Sequence, residues 1–166
     1  LIEYLKELKD AGVVSLKIEG RTKSIYYIAQ VIKAYRAVLD TIDTDKYDEE
    51  KIYWKKELNK LVNRGYTTGF LLNEAKSDPS SIEKSHLDNS YRFVGEVVSF
   101  KSLKEYHTNI DKELNFVFVH NKINKGDVIE IIPIKGRNFE AKIKKIIDPN
   151  NLEELETISA GFDKIV

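Results

Sequence analysis

The 166-residue chain carries 27 basic and 27 acidic residues, a formal net charge of zero, with 42% hydrophobic and 33% charged residues. That balance describes a globular chain able to bury the core of one ordinary domain or two small ones, and it supplies no global field to recruit nucleic acid or a membrane surface. With no cysteine, this sequence holds no disulfide, thiolate nucleophile, cysteine-held zinc or iron–sulfur cluster; no apolar run approaches the roughly 18 residues of a membrane span, no signal peptide is visible, and a cytoplasmic origin is the default expectation.

Leu1 to Ala11 places Leu1, Ile2, Leu5 and Leu8 on one side of a helix that Gly12 stops. Val13 to Ile18 follows at once, a short apolar run with β-branched residues that predicts a buried strand. Gly20 breaks the run. Ser24 is the expected N-cap of a helix over Ile25–Leu39, with Ile25, Ile28, Ile32, Tyr35 and Leu39 at three- and four-residue steps. Helix, strand and helix in this order match the closing unit of a parallel α/β array. One strand makes no sheet, and the chain lacks methionine even at position 1, so the expectation is a piece of a longer protein with partner strands upstream. Between strand and helix, Glu19, Arg21 and Lys23 put an acid and two bases within five residues. In α/β architecture the loop after a strand's C-terminal end is where ligands are met. The alternative is a solvated turn whose charges merely keep it soluble.

Asp40 to Asp48 reads as an acidic connection. Glu49–Val62 returns to helix, its buried side expected at Ile52, Tyr53, Leu58, Leu61 and Val62, with Trp54 nearby. Lys51, Lys55, Lys56 and Lys60 lie along the other side, read as a solvated face rather than a phosphate grip. Asn63-Arg-Gly65 ends this helix. Arg64-Gly-Tyr-Thr-Thr-Gly-Phe70 is either a loop lining a pocket, with Arg64 gripping an anion, or a structural loop packing Tyr66 and Phe70. It lacks the GxxxxGK(S/T) spacing of a phosphate cradle. Glu74–Asn89 holds two lysines against four acids and few apolar residues, which marks a linker or a surface crossing. The division read from this is 1–73, a linker at 74–90 and a second domain at 91–166.

From Tyr91 onward the apolar pattern alternates and β-branched residues cluster, as strands require. Expected strands are Arg92–Phe100, Glu105–Ile110, Asn115–Val119, Asp127–Ile134, Asn138–Ile147 and a last one near Ile158–Ile165. Asn121–Asp127 supplies one turn, and Lys135-Gly136-Arg137 another. About six short strands fit a small antiparallel β-barrel, because closure removes exposed edges. The fold class is therefore α+β. Lys135, Arg137, Lys142, Lys144 and Lys145 lie close in sequence, with Lys142 and Lys144 on a strand face opposite Ala141 and Ile143. They are candidates for nucleic-acid backbone contacts. The alternative is a solvated outer face, since residues 91–166 hold 12 basic and 12 acidic residues. His86, His107 and His120 show no zinc-ligand spacing and are read as incidental, so no metal site is assigned.

The run Gly12-Val-Val-Ser-Leu-Lys-Ile-Glu-Gly-Arg-Thr-Lys-Ser24, then Tyr26-Tyr27 and Ala34-Tyr35-Arg36, resembles the collagenase-like peptidases of unclassified catalytic type, the U-thirty-two peptidase family. Arg64-Gly-Tyr-Thr-Thr-Gly-Phe70 and a C-terminal module from Tyr91-Arg-Phe-Val-Gly95 to Asn121-Lys and Gly126-Asp-Val-Ile-Glu130 extend the resemblance over nearly the whole chain. Thr22 departs from it, where the family commonly has methionine. The resemblance implies an N-terminal TIM-type barrel, a helical stretch, and a small β-barrel similar to domain II of elongation factors. Val13–Ile18 would then be the last strand of the first barrel. Glu19 would stand at that barrel's C-terminal face as a catalytic candidate, with Arg21, Lys23, Arg64 and Tyr66 as substrate-binding candidates.

Family members are regarded as peptidases, with collagen among their substrates. Similar proteins act instead in hydroxylation of a tRNA uridine or a ribosomal cytidine, with prephenate-linked chemistry and an iron–sulfur cluster. The cysteines for such a cluster would lie upstream, so no cofactor is expected in this fragment. Peptide hydrolysis needs an activated nucleophile or a metal-bound water and a group to stabilise the oxyanion. Ser15 and Ser24 flank the motif without a histidine near them in sequence. Glu19 suits a general base, and Arg21 and Lys23 suit a carboxylate, an oxyanion or an RNA phosphate equally.

Three functions follow as expectations. The first is the substrate-binding C-terminal part of a collagenase-like peptidase homologue, inactive alone. The second is the RNA-binding part of a tRNA or rRNA hydroxylation enzyme. The third is a structural or dimerisation cap. The partners expected are the protein's own N-terminal barrel, a collagen-like or structured RNA substrate, and a second copy in a homodimer, but no membrane.

Overall fold

A computed structural model describes residues 1–61, 71–72, 91–98 and 114–160. The chain divides into two compact units, Leu1–Tyr91 and Arg92–Val166. The first is helical. A 3₁₀ turn at Ile2–Tyr4 leads into α1 (Leu5–Asp10), followed by α2 (Ile25–Asp40) and α3 (Tyr47–Leu58). Helix α1 ends as expected at Gly12, whose φ is +87°. The Gly12 N–H donates to the Lys9 carbonyl and the Val13 N–H to the Leu8 carbonyl, each at 2.9 Å. This paired capping needs a left-handed residue at its centre, which glycine supplies without a Cβ clash.

Helix α2 starts where the sequence places it. The Ser24 hydroxyl accepts the Tyr27 N–H at 3.2 Å, the bond of an N-cap. The buried side of α2 differs from expectation: it is Gln30, Val31, Ala34 and Val38, while Ile25 and Ile32 are half exposed. Apolar residues surround most of this helix, so periodicity alone does not choose a face. Ala34, fully buried, leaves the room that α3 fills. On α3 the core positions are Tyr47, Trp54 and Leu58, continued by Leu61, and Ile52 faces solvent at 69% exposure. Trp54 therefore takes the place expected for Ile52. Its indole N–H donates to Glu50 at 2.7 Å, which satisfies the one polar atom that burial would strand. Helix α3 stops at Leu58, short of the expected Val62, which lies outside the described residues with Asn63–Phe70.

Val13–Ile18 forms no strand. A strand exists only as a member of a ladder, because its N–H and C=O groups need partners. No described segment pairs with these residues, and Val14 is 98% exposed. Leu16 still packs on the helical core.

The second unit is antiparallel β. Its strands are β1 (Gly95–Val98), β2 (Phe116–Val119), β3 (Ile123–Asn124), β4 (Val128–Ile131), β5 (Phe139–Lys142), β6 (Ile146–Ile147), β7 (Glu154–Leu155) and β8 (Thr157–Ile158). They pair as β1–β2, β3–β8, β4–β5 and β6–β7 around Val119, Ile123, Ile146 and Ile158. Among the described residues there is no closed barrel, only these four two-stranded ladders. Expected strands 92–100, 115–119 and 127–134 survive in shortened form, and 138–147 splits in two at Ile143–Lys145. Strands β3 and β7 were not foreseen, and Glu105–Ile110 lies outside the described residues, as does the 74–90 linker.

The turn at Gly126-Asp127 ties this unit together. Asp127 accepts from the backbone N–H and the side-chain amide of Asn124, and its own carbonyl accepts the Ile143 N–H. Gly95 is fixed by crowding, since a Cβ there would lie 2.7 Å from the Phe118 carbonyl oxygen and 2.8 Å from a Val117 methyl.

Trp54→Ala is expected to destabilise the helical unit by about 3–5 kcal/mol, whereas Ile52→Ala changes it by about 0.5 kcal/mol or less. Urea unfolding of the two variants measures the difference.

Candidate functional site

The loop between Ile18 and α2 carries the catalytic candidate. The Lys23 N–H closes a turn on the Gly20 carbonyl at 3.0 Å, and Ser24 then caps the helix. This turn brings Glu19 to 3.6 Å from the Arg21 guanidinium and 3.8 Å from the Lys17 ammonium. Lys23 turns away and lies over the Tyr27 ring, 5.3 Å from its centroid. Glu19 is 63% exposed and Arg21 90%, so the cluster is open to water. Exposed pairs of this kind are worth no more than about 1 kcal/mol. The arrangement can attract an anion and hold a carboxylate beside it; what it lacks in the described residues is a wall that excludes water.

Directly before Glu19, the extended segment borders an apolar groove of about 330 Å³. Leu5, Leu8, Val13, Leu16 and Ile18 line one part, and Ile32, Tyr35 and Leu39 of α2 line another. Ile32, Tyr35 and Leu39 of the expected stripe thus border this groove, and Tyr35 and Leu39 also pack on the helical core. Burial pushes the Tyr35 phenol above its ordinary value. Arg64 and Tyr66, the other substrate-binding candidates, lie outside the described residues. Ser24 is committed to its capping bond.

Charge elsewhere divides into two kinds. On α3, Lys51 pairs with Asp48, Lys55 with Glu3 and Lys60 with Glu57. Lys51 also lies over the Tyr47 ring, and its hydrogen bond to Asp48 raises its pKa. These three lysines are spent inside the unit, and Lys56, the fourth of the stripe, is exposed. In the β unit, Lys125 bridges Glu154 and Glu156, which raises the pKa of Lys125; its bond to Glu154 lowers that of Glu154. The candidates Lys135, Arg137, Lys142 and Lys144 are all exposed. Lys135 and Arg137 sit in the connection between β4 and β5, Lys142 ends β5 opposite Val128, and Lys144 follows. Lys142 and Lys144 point outward while Ala141 and Ile143 are partly buried, as the alternation predicts. Lys135, Lys142 and Lys144 enter no ion pair among the described residues.

One contact was missed from sequence. His120, read as incidental, meets Glu96 with 2.8 Å between ring nitrogen and carboxylate, between the rings of Phe93 and Phe118. Glu96 lies opposite Phe118 in the β1–β2 ladder. His120 is two residues beyond it, on the same side. Only the register reveals the pair. His86 and His107 lie outside the described residues, among which no group of three His, Cys, Asp or Glu is placed to hold a metal ion. No helix among them is long and apolar enough to cross a membrane.

The profile of Peptidase family U32 matches residues 1–80, and that of the Peptidase family U32 C-terminal domain matches residues 89–161. The chain belongs to this family and corresponds to its C-terminal part. It is 32% identical over 162 residues to tRNA hydroxylation protein P of Haemophilus influenzae, covering 97% of this chain and 32% of that protein. A protein of the same name in Escherichia coli K12 is 34% identical over 140 residues, 83% of this chain and 28% of its own length. A collagenase of Porphyromonas gingivalis is 28% identical over 102 residues, 61% of this chain and 28% of that protein. The chain thus spans about a third of the length of these curated relatives. No solved structure matches it.

Ser24→Ala is expected to cost about 1 kcal/mol of stability, within a range of about 0.5–2 kcal/mol, and Ser24→Asp, which also caps, to restore it. Thermal unfolding reads both; a loss that aspartate does not recover would give Ser24 a role beyond the cap.

Proposed function

We propose that this chain binds and positions substrate within a longer enzyme of the family, and that the substrate is RNA. The observation that carries this reading is the set of cations Lys135, Arg137, Lys142 and Lys144 along one hairpin, three of them without an ion pair among the described residues, in a chain of zero net charge. Lys6, Lys9, Lys17, Lys51, Lys55, Lys60 and Lys125 each pair with an acid, and local charge left without such a partner suits a polyanion. The relatives named for tRNA hydroxylation, matched over 97% and 83% of this chain, support the same substrate class.

Glu19 is then the group nearest the chemistry, a general base or proton acceptor, with Arg21 and Lys23 drawing a phosphate or carboxylate to it. Arg64 and Tyr66 complete the binding set in this proposal. The chain has no cysteine, so its residues do not fit an iron–sulfur cluster, and a cluster in the intact protein would rest on residues outside this sequence. A peptide substrate is the second reading, favoured by the collagenase matches over 61% and 44% of this chain. Glu19 and Arg21 suit a scissile peptide as well as a nucleotide.

Replacing all four hairpin cations by alanine is expected to weaken RNA binding at low salt and to flatten the salt dependence, with a log–log slope smaller by roughly 0.7 for each phosphate that the hairpin no longer neutralises. An unchanged slope removes the hairpin from the binding surface. In the intact protein, Glu19→Gln is expected to lower turnover by about 10²–10⁴-fold. Nucleoside mass spectrometry of RNA from cells with and without the intact protein separates the two readings: a hydroxylated pyrimidine disappears with it, or the RNA is unchanged and digestion of denatured collagen becomes the activity to measure.

A further inference from the structure

We propose that the tip of the β4–β5 hairpin takes hold of unpaired RNA bases, with Ile134 and Phe139 packing on exposed base faces while Lys135 and Arg137 hold the neighbouring phosphates. This rests on the RNA reading above and goes past it by naming the single-stranded loop, not the duplex, as the class recognised.

Strands β4 and β5 are joined by residues 132–138. Ile134 in that connection is 98% exposed, and Phe139, the first residue of β5, is 51% exposed although it lies opposite Ile131 in the ladder. A single exposed isoleucine means little by itself. Its surroundings decide the matter. The connection and the first residue of β5, residues 132–139, hold two basic residues and no acid, a local charge of +2 in a chain whose total is zero. An apolar tip that carries two cations complements a polyanion that also offers flat apolar faces. A duplex offers phosphates but keeps its base faces stacked on one another, whereas an unpaired loop splays them out for aromatic side chains to cover. The aromatic ring of Phe139 matches such a face, and Ile134 covers the base beside it.

The test is fluorescence anisotropy at low salt with the full 166-residue chain. Three probes are compared: a labelled RNA stem carrying an unpaired loop, the same stem as a blunt duplex, and vesicles of phosphatidylserine in phosphatidylcholine. The chain is expected to prefer the stem–loop. Phe139→Leu, which keeps an apolar side chain in the strand but removes the π-face, and Ile134→Ser are each expected to weaken stem–loop binding about five- to a hundredfold. Duplex binding then stays unchanged, and circular dichroism confirms the fold of both variants. Lys135→Ala with Arg137→Ala weakens both RNA probes. Equal affinity of the unaltered chain for stem–loop and duplex overturns the proposal, as does a loss that falls equally on both probes, no loss in either variant, or Ile134-dependent binding to the vesicles alone. A chain that binds RNA through residues other than these overturns the hairpin and leaves the RNA reading standing; a chain that binds neither RNA removes both.

Discussion

Helices α2 and α3 meet across a fully buried alanine, Ala34, and a tryptophan that is 1% exposed, Trp54. Beside them lies a carboxylate. Glu57 is 4% exposed and accepts from Lys60 at 2.8 Å and from the fully buried Gln30 at 3.5 Å. Removing a charge from water costs several kcal/mol unless partners replace its hydration, so this contact holds the two helices in one relative setting. A slide or rotation of α3 would take Glu57 away from Gln30, its donor on α2. The small residue sets the distance, the large one fills the volume, and the polar group specifies the register.

That setting determines everything N-terminal to α2. With Val31, Ala34 and Val38 buried, the stripe of Ile32, Tyr35 and Leu39 takes the adjacent side of α2, where Tyr35 and Leu39 still pack on the core. There it lines the groove bordered by Val13–Ile18. The Ser24 cap fixes where the helix starts, and the turn at Gly20–Lys23 places Glu19 beside Arg21. A charged loop thus sits at the end of an apolar groove as a consequence of helix packing some fifteen residues away. The acid–base cluster is solvent-exposed, so its chemistry depends on what covers it in the intact protein.

Local signals were legible in the sequence, and global ones were not. Gly12 as a stop and Ser24 as a cap are set by backbone geometry within a few residues, and both stand. The antiparallel ladders near 115–119 and 127–134 follow from alternation. The rotation of α2 failed because that helix is apolar nearly all round, and Ile52 was placed inside where Trp54 belongs because periodicity weighs a hydrophobic residue without weighing its volume. Val13–Ile18 has the composition of a strand, yet strand formation is a property of two segments, and no described segment pairs with it. The Glu96–His120 contact spans 24 residues and depends on a ladder register that no local pattern encodes. Of the candidate site, Glu19 and Arg21 come together as the motif suggests, while Lys23 turns to Tyr27. The hairpin lysines were visible as a cluster, but their contrast with Lys51, Lys55 and Lys60, which pair with acids, needed coordinates.

Ultraviolet crosslinking of the intact protein to cellular tRNA, followed by mass spectrometry of the crosslinked peptides, tests most directly whether the C-terminal unit handles RNA. Nucleotide adducts concentrated on the peptide spanning Ile134 to Phe139 are the predicted result. Adducts confined to other parts of the protein, or none at all, would contradict an RNA-handling hairpin.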